Sequence, residues 1–444
     1  MQQPCARHAI ISYPDSANSA FCGSTDCGYT DITPYSPLFY KSMHPTAHSV
    51  HYVIVTFKNP VLWAIDGDET WLLNPARRYV LNSDMLESLT AHIDTVSDLR
   101  PSAKYVPLRR GENILGKRVL VDRYRHRGIG DLLFMTGPLA WLHHVTGGRV
   151  TLDVYTLVER GAVLADNPHI SNRSPLNGPL HYDDFGNYAA QWMVEVATEF
   201  DESADQINVY DALYRSMDVD PATVDDRFKR PHASLNMSDA HALDAFYWRI
   251  MQNHRCDLRA TPYYVVAPLS HASLRSVPYA VWLGVIQKMA AKHPVVVLGA
   301  PRTGYTPDAG SLTFSQFNQE LDKLRSSGAS VFNCIGNTPL RLSMAVVASA
   351  KAFAGLDSGL LYVAQAFRTP AVSVWGTHNP HTRLGYDKTY MEGAIWRQEQ
   401  CPQSPCYAYS RFPQHKCVYG ASQNVCEVLK VSPDEIVSKL LKIS

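Results

Sequence analysis

From residue 117 onward, apolar residues fall in short runs that alternate with segments of helical period. Arg118-Val-Leu-Val reads as a short buried strand, Gly128-Ile-Gly-Asp as a turn, Leu132–Val145 as an apolar-periodic helix and Val150-Thr-Leu-Asp-Val-Tyr as the next strand. The same grammar restarts at Pro262. Strands are expected at Tyr263–Ala267, Pro294–Gly299, Ala329–Phe332, Lys351–Gly355 and Pro370–Trp375. Helices are expected between them at Pro278–Lys292, Phe314–Ser326, Thr338–Ser349 (with Thr338 as N-cap) and Ser358–Phe367. Alternation of this kind implies a parallel sheet with helices on its faces.

The N-terminal quarter is patterned differently. Residues 1–48 are rich in Ser, Pro, Thr, Tyr and Cys without sustained periodicity and read as an irregular tail. Ser49–Phe57, Val61–Ile65 and Thr70–Leu73 are β-rich and separated by turn residues, which predicts a small three-stranded antiparallel sheet. A helix is expected over Ser83–Val96, capped by Ser83. At the other end, Ser432, Pro433 and Glu435 carry the N-cap, first-turn proline and third-position glutamate of a final helix.

Two successive open α/β units suggest two Rossmann-like domains facing a cleft, giving an α/β chain with added segments. The division expected is 1–48 tail, 49–112 β-rich accessory region, 113–258 first domain, 259–400 second domain, 401–426 Cys-rich finger and 427–444 C-terminal helix.

Composition narrows the function classes. The 444 residues carry 41 Lys plus Arg against 41 Asp plus Glu, with 45% apolar residues, an ordinary globular balance that excludes disorder over the whole chain. The zero net charge hides a contrast. Residues 101–150 hold nine basic and three acidic side chains, a net of +6, whereas residues 151–226 hold three basic and 15 acidic ones, a net of −12. Bulk charge therefore gives no argument for polyanion binding, though a local basic site remains open. The acidic stretch is expected to form mostly solvated helices and loops. No window reaches the ~18 uncharged apolar residues of a membrane span, and no secretory signal is visible at the start. Nine unevenly placed cysteines argue against a secreted disulfide framework, so a reducing, cytoplasmic location is expected.

Several residues carry candidate chemistry. Asp131 stands where a strand ends and a helix begins, the usual place for an active site in an open α/β sheet. It is either a helix cap or a general base within reach of a hydroxyl. Asp357-Ser358-Gly359 opens a helix, so it is either an ordinary N-cap or a diphosphate site at a dipole end. Arg123, Arg125, His126 and Arg127 crowd the loop before Asp131, as a solvated loop or as a grip on acceptor phosphates. Cys401, Cys406, Cys417 and Cys426 could surround one structural Fe or Zn ion, the alternatives being free thiols or disulfides. Four thiolates would close such a site, so no catalytic role is expected of a metal there.

Three segments together resemble one family. Arg127-Gly-Ile-Gly-Asp-Leu-Leu-Phe-Met-Thr-Gly-Pro-Leu, Ala267-Pro-Leu-Ser-His-Ala-Ser-Leu-Arg-Ser-Val-Pro and the stretch Phe353–Gly376 around Asp357-Ser-Gly resemble the glycosyltransferase family that contains the bacterial ADP-heptose heptosyltransferases, glycosyltransferase family nine. The likeness covers roughly residues 115–440. It implies the GT-B architecture, with acceptor held by the first domain and nucleotide-sugar by the second. It implies Asp131 as the base. It also implies a donor site from Ser270, Ser273, Arg275, Asp357, Ser358, Gly359 and Leu360, and acceptor contacts near Arg125, Arg127 and Gly130. The C-terminal helix is expected to pack back on the other domain. Some relatives, the autotransporter heptosyltransferases, carry a Cys-rich iron-binding finger where the four cysteines fall here. There are departures: Arg275 stands where the family commonly has Lys, Tyr362 where it often has His, and Val277 where it has an aromatic residue.

The function expected is inverting transfer of a heptose or related sugar, without a catalytic metal, from an ADP-heptose-like donor to a hydroxyl on a glycan or protein. A DNA acceptor is open but not favoured, and an oligomer is open. The rival reading is an inactive nucleotide- or carbohydrate-binding protein on the same fold.

Overall fold

A computed structural model describes residues 30–32, 52–66, 69–73, 75, 77–82, 86–98, 115–122, 128–156, 161–175, 190–193, 206–217, 219–270, 273–301, 311–406, 417 and 426–444. The expected basic loop at Arg123, Arg125, His126 and Arg127, the side chain of Ser273 and most of the expected tail lie outside the described residues.

Six short strands come first: β1 (Thr30–Ile32), β2 (Tyr52–Phe57), β3 (Val61–Asp66), β4 (Glu69–Leu73), β5 (Tyr79–Asn82) and β6 (Ile93–Asp98). They form two sheets rather than the one expected. β3 pairs with β1 and β4, and β2 lies between β5 and β6. The helix expected over 83–96 is replaced by a single 3₁₀ stretch at Glu87–His92 followed by β6. Its last residues alternate around β-branched Ile93, Thr95 and Val96, and an antiparallel partner in β2 decides for strand.

The first large unit comprises β7 (Arg118–Asp122), α1 (Ile129–Val145), β8 (Thr151–Thr156), β9 (Asn172–Pro175), β10 (Ala190–Met193), α2 (Val209–Ser216) and α3 (Met237–His254). Its parallel sheet runs β10-β7-β8-β9. Residues 130 and 132–142 of α1 are all buried, which explains a helix that is apolar on every side. The acidic stretch corrects the expectation of solvated elements. It supplies three strands of the sheet, β8, β9 and β10, and α2 buries Val209, Tyr210, Leu213 and Tyr214. Its charges are spread between these apolar anchors, so net charge concealed a buried helix.

The second unit follows the sequence pattern closely: β11 (Tyr264–Ala267), α4 (Tyr279–Ala290), β12 (Val295–Val297), α5 (Phe314–Ser326), β13 (Val331–Asn333), α6 (Leu340–Ala348), β14 (Ala352–Leu356), α7 (Gly359–Phe367) and β15 (Ala371–Trp375). Three elements were not expected: α8 (His381–Leu384), α9 (Lys388–Gly393) and the edge strand β16 (Ala394–Trp396). Strand order is β13-β12-β11-β14-β15-β16, all parallel, so the chain reverses direction between β11 and β14. Ligands of open α/β sheets bind outside the carboxyl ends of the strands at this switch. α6 opens one residue later than expected, after Pro339, and Thr338 does not cap it.

The last helix, α10 (Pro433–Ile443), has the expected cap, Ser432 Oγ accepting from Glu435 N–H. It does not cross to the first unit. Ile436 and Leu440 are buried in the core of the second unit with Trp282 and Phe317, and a Cβ on Gly284 of α4 would meet Pro433 at 2.8 Å. Its apolar face completes the second sheet's own core.

The other core cluster spans both units. It joins Val119, Leu133 and Tyr210 of the first to Leu361, Trp375 and Tyr390 of the second. A polar pin lies beside it. Arg341 of α6 donates to Asp239 of α3 and to Asp166, and to the carbonyls of Ala165 and Ser234 at 3.2 and 2.9 Å. Burial alone would raise the Asp239 carboxyl, but the Arg341 hydrogen bonds and charge, with the Asn236 N–H, hold it below its ordinary value. A depressed carboxyl stabilises above its unfolded value and loses that contribution as pH falls through the folded one. Unfolding free energy should therefore drop on acidification below about pH 4. In denaturant titrations Arg341→Met should cost about 3 kcal/mol at neutral pH and flatten that acid dependence.

Candidate active site between two helix N-termini

α1 and α7 come from different units, yet their first turns touch. A Cβ on Gly130 would lie 2.7 Å from Tyr362 Cδ2, and one on Gly359 would lie 2.8 Å from Ile129 Cβ. The rings of Phe134 and Tyr362 meet edge-on at 4.4 Å just behind. Only glycine permits this approach at both positions. It brings Asp131, third residue of α1, beside the Asp357-Ser358-Gly359 turn.

Asp131 is half-buried. Gly128 N–H donates to its Oδ2 at 3.2 Å, so Asp131 does help close its helix. A carboxylate has about four acceptor positions, and this bond orients the group.

On the opposite helix, Ser358 occupies the N-cap position, but no side chain caps the turn. Ser358 is extended (φ −152°, ψ 169°) and its hydroxyl makes no cap bond. The Asp357 carboxylate points elsewhere. Tyr362 Oη donates to its Oδ1 at 2.6 Å, and His378 Nδ1 stands 2.6 Å from its Oδ2. Arg275, on a 3₁₀ turn at Ser273–Arg275, donates to the Asp357 carbonyl and keeps Nε 3.9 Å from Oδ2. Burial would push this carboxyl up, yet the Arg275 charge, the His378 contact and the Tyr362 hydroxyl outweigh it and hold it well below the carboxylate range. Tyr362 is driven the other way, first by burial and then by the Asp357 charge. Asp357 is thus an ionised, buried hub at the carboxyl end of β14.

The remaining expected donor residues divide. Ser270 is buried just beyond β11. Leu360 packs against the shared core, so what it can offer a ligand is its backbone N–H. Val277 is fully buried in the second unit's core, and Tyr362 faces the first unit. His378 was not anticipated. It follows β15 in Trp375-Gly-Thr-His, and its side chain is 2% exposed. The available signal was its position, three residues beyond a strand neighbouring the switch.

The four finger cysteines are free thiols. Burial pushes the Cys426 thiol up to about 12, and Cys406, Cys417 and Cys401 each add to that, so the four are gathered in one place. Among the described residues, however, no group of three or more His, Cys, Asp or Glu side chains has the geometry to hold a metal ion. The set fits a metal in kind and number but is not closed around one. No helix among the described residues is long and apolar enough to cross a membrane.

Residues 213–409 match the model of glycosyltransferase family 9 (heptosyltransferase). No curated protein matches the chain in sequence. Among solved structures, the Escherichia coli ADP-heptose lipopolysaccharide heptosyltransferase II is 12% identical, with 74% of this chain and 98% of that one covered, at a TM-score of 0.54. A family 9 glycosyltransferase from Veillonella parvula is also 12% identical, covering 74% and 99%, at 0.52. The iron-containing dodecameric glycosyltransferase TibC from enterotoxigenic E. coli is 16% identical, covering 89% and 92%, at 0.50. At such identities the likeness is one of fold.

The glycine contact is directly testable. Gly130→Ala places a methyl 2.7 Å from the Tyr362 ring and should cost about 1–3 kcal/mol. Thermal unfolding reads this, and an unchanged melting temperature would mean that the two turns are not in contact.

Proposed function

We propose that this chain, a glycosyltransferase with a GT-B fold and a heptosyltransferase-like family 9 segment at residues 213–409, transfers a heptose or related sugar with inversion from an ADP-heptose-like donor to a hydroxyl on a glycan or protein. The observation that carries the reading is the contact of the two helix N-termini. It joins the first turn of α1, which carries Asp131, to an α7 turn without a side-chain cap and flanked by Arg275, and this supports the reading. A structure of TibC holds ADP-D-β-D-heptose, which supports the choice of donor.

In this reading the donor diphosphate lies at the first turn of α7, where the N–H groups of Gly359 and Leu360 and the dipole favour negative charge. Arg275 and the hydroxyls of Ser270, Ser273 and Ser358 flank it. Asp131 accepts the proton of the acceptor hydroxyl as its oxygen bonds to the anomeric carbon. The bond from that carbon to the diphosphate oxygen breaks, and its electron pair leaves with the nucleoside diphosphate. Arg275 and the helix N-terminus stabilise this growing charge. Attack and departure on opposite faces give inversion, through an oxocarbenium-like transition state. No metal takes part. Gly130 keeps the wall between base and donor thin, and Arg125 and Arg127 serve the acceptor from the preceding loop. The reaction places the protein in the cytoplasm, where nucleotide-sugars are made.

Asp131→Asn should lower transfer about 10²–10⁴-fold while leaving nucleoside diphosphate affinity unchanged. Product mass spectrometry and calorimetry together read this, and full activity in the variant would remove Asp131 as the base.

The finger is proposed to hold one structural Fe or Zn ion on Cys401, Cys406, Cys417 and Cys426, tying the segment to the second unit's core through Cys426. TibC is iron-containing, which supports the reading. Metal analysis of the purified protein should find one ion per chain, and Cys417→Ser should lose it and lower the melting temperature. A metal-free wild-type protein of full stability would leave the four as plain thiols.

A further inference from the structure

Asp357 is the most heavily engaged acidic group near the switch, and its engagements leave one side chain without an assigned task. Tyr362 Oη occupies Oδ1, His378 Nδ1 faces Oδ2, and Arg275 binds the carbonyl of the same residue. An ionised carboxylate only accepts, so the proton between Asp357 and His378 sits on Nδ1. Both side chains are more than nine-tenths buried. Tyr362 is fixed from the first unit by Phe134 and Gly130. His378 arrives from the opposite side, on the segment between β15 and α8. The chain just beyond that segment is fastened across the units, since Asn208 Nδ2 donates to the carbonyl of His381, at the start of α8, at 3.0 Å and Tyr386 Oη, after α8, donates to Asp211 at 2.6 Å.

We infer that His378 is a positioning residue of the donor site: through its Nδ1–H it holds the Asp357 carboxylate, and through Asp357 it sets the Arg275 guanidinium and the Ser358-Gly359 turn for a nucleoside diphosphate. The inference rests on the glycosyltransferase reading above and adds a residue and a route to it. The physical reason is a shared anchor. Asp357 presents its carbonyl to Arg275 and its carboxylate to His378 and Tyr362, so rotation of the residue moves all three. With the Nδ1 bond gone, a buried carboxylate loses one of its donors and must turn toward another or take up a proton. One such donor is Arg275, whose Nε stands 3.9 Å from Oδ2. A guanidinium drawn onto the carboxylate is withdrawn from the diphosphate. Asp131 belongs to the other helix and is not disturbed, so the effect falls on donor binding and leaving-group stabilisation, the two tasks of Arg275, and spares proton removal.

Two near-isosteric variants separate this role from general packing. The amide nitrogen of His378→Asn can stand where Nδ1 stands, whereas that of His378→Gln reaches where Nε2 stands. Calorimetric titration with ADP, UDP, GDP and CDP identifies the nucleotide bound by the wild-type protein. Initial rates with the matching nucleotide-sugar then give KM and kcat. His378→Asn should bind within about threefold of wild type. His378→Gln should weaken nucleotide binding and raise donor KM by about tenfold or more, with any fall in kcat accompanying that loss of binding. Tyr362→Phe, which keeps the ring but removes the other donor to Asp357, should share the His378→Gln signature. Equal behaviour of the Asn and Gln variants, or a loss confined to kcat, overturns the inference while leaving the glycosyltransferase reading intact. A wild-type protein that binds none of the four nucleotides overturns both.

Discussion

The site depends on one steric constraint, the contact of two helix first turns that belong to different sheets. Gly130 lies against the Tyr362 ring and Gly359 against Ile129. Everything chemical is arranged around that line. On one side a carboxylate is oriented by its own helix cap. On the other, a helix opens without a side-chain cap, with an arginine and a buried Asp–His pair next to it. The alignment of the two halves is set by packing, by Tyr362, which touches both, and by polar bonds between them such as those of Arg341.

Electrostatics follow from the same geometry. Asp357 is buried where a lone carboxylate would take up a proton, and it stays ionised because three donors from three segments converge on it. Such a group is costly unless fully partnered. Its value lies in direction, since it fixes where the neighbouring cation and hydroxyls point. Asp131 occupies the contrasting situation, half-buried and oriented by the Gly128 N–H at the start of its own helix.

Strands β11 to β15 of the second sheet were legible in the sequence because each is a short apolar run closed by a turn, whereas the three-residue edge strand β16 was not. β9 and β10 were not legible. Asn172-Arg-Ser-Pro and Ala190-Gln-Trp-Met show no period-two pattern, and only pairing with β8 and β7 makes them strands. The accessory helix failed for a related reason, since Ile93–Asp98 reads equally well in either period until β2 lies beside it. At the site, Asp131 and the Asp357 turn stood out because they end strands or begin helices. His378 did not, because its partner is 21 residues away in sequence and comes close only through the adjacency of β14 and β15. The net charge of residues 151–226 was a poor guide to burial, because it averages over a helix whose apolar face is complete.

The core cluster that runs from Val119 to Tyr390 has a consequence for how the molecule comes apart. Two sheets that each look like a self-sufficient folding module share their wettest-when-separated surface. Cutting between them would expose Leu133, Phe134 and Tyr210 on one fragment and Leu361, Tyr362 and Trp375 on the other. The chain should accordingly melt as one cooperative unit rather than two, with a calorimetric enthalpy equal to its van't Hoff value. The boundary between the two sheets is then not a line along which the fold can be divided.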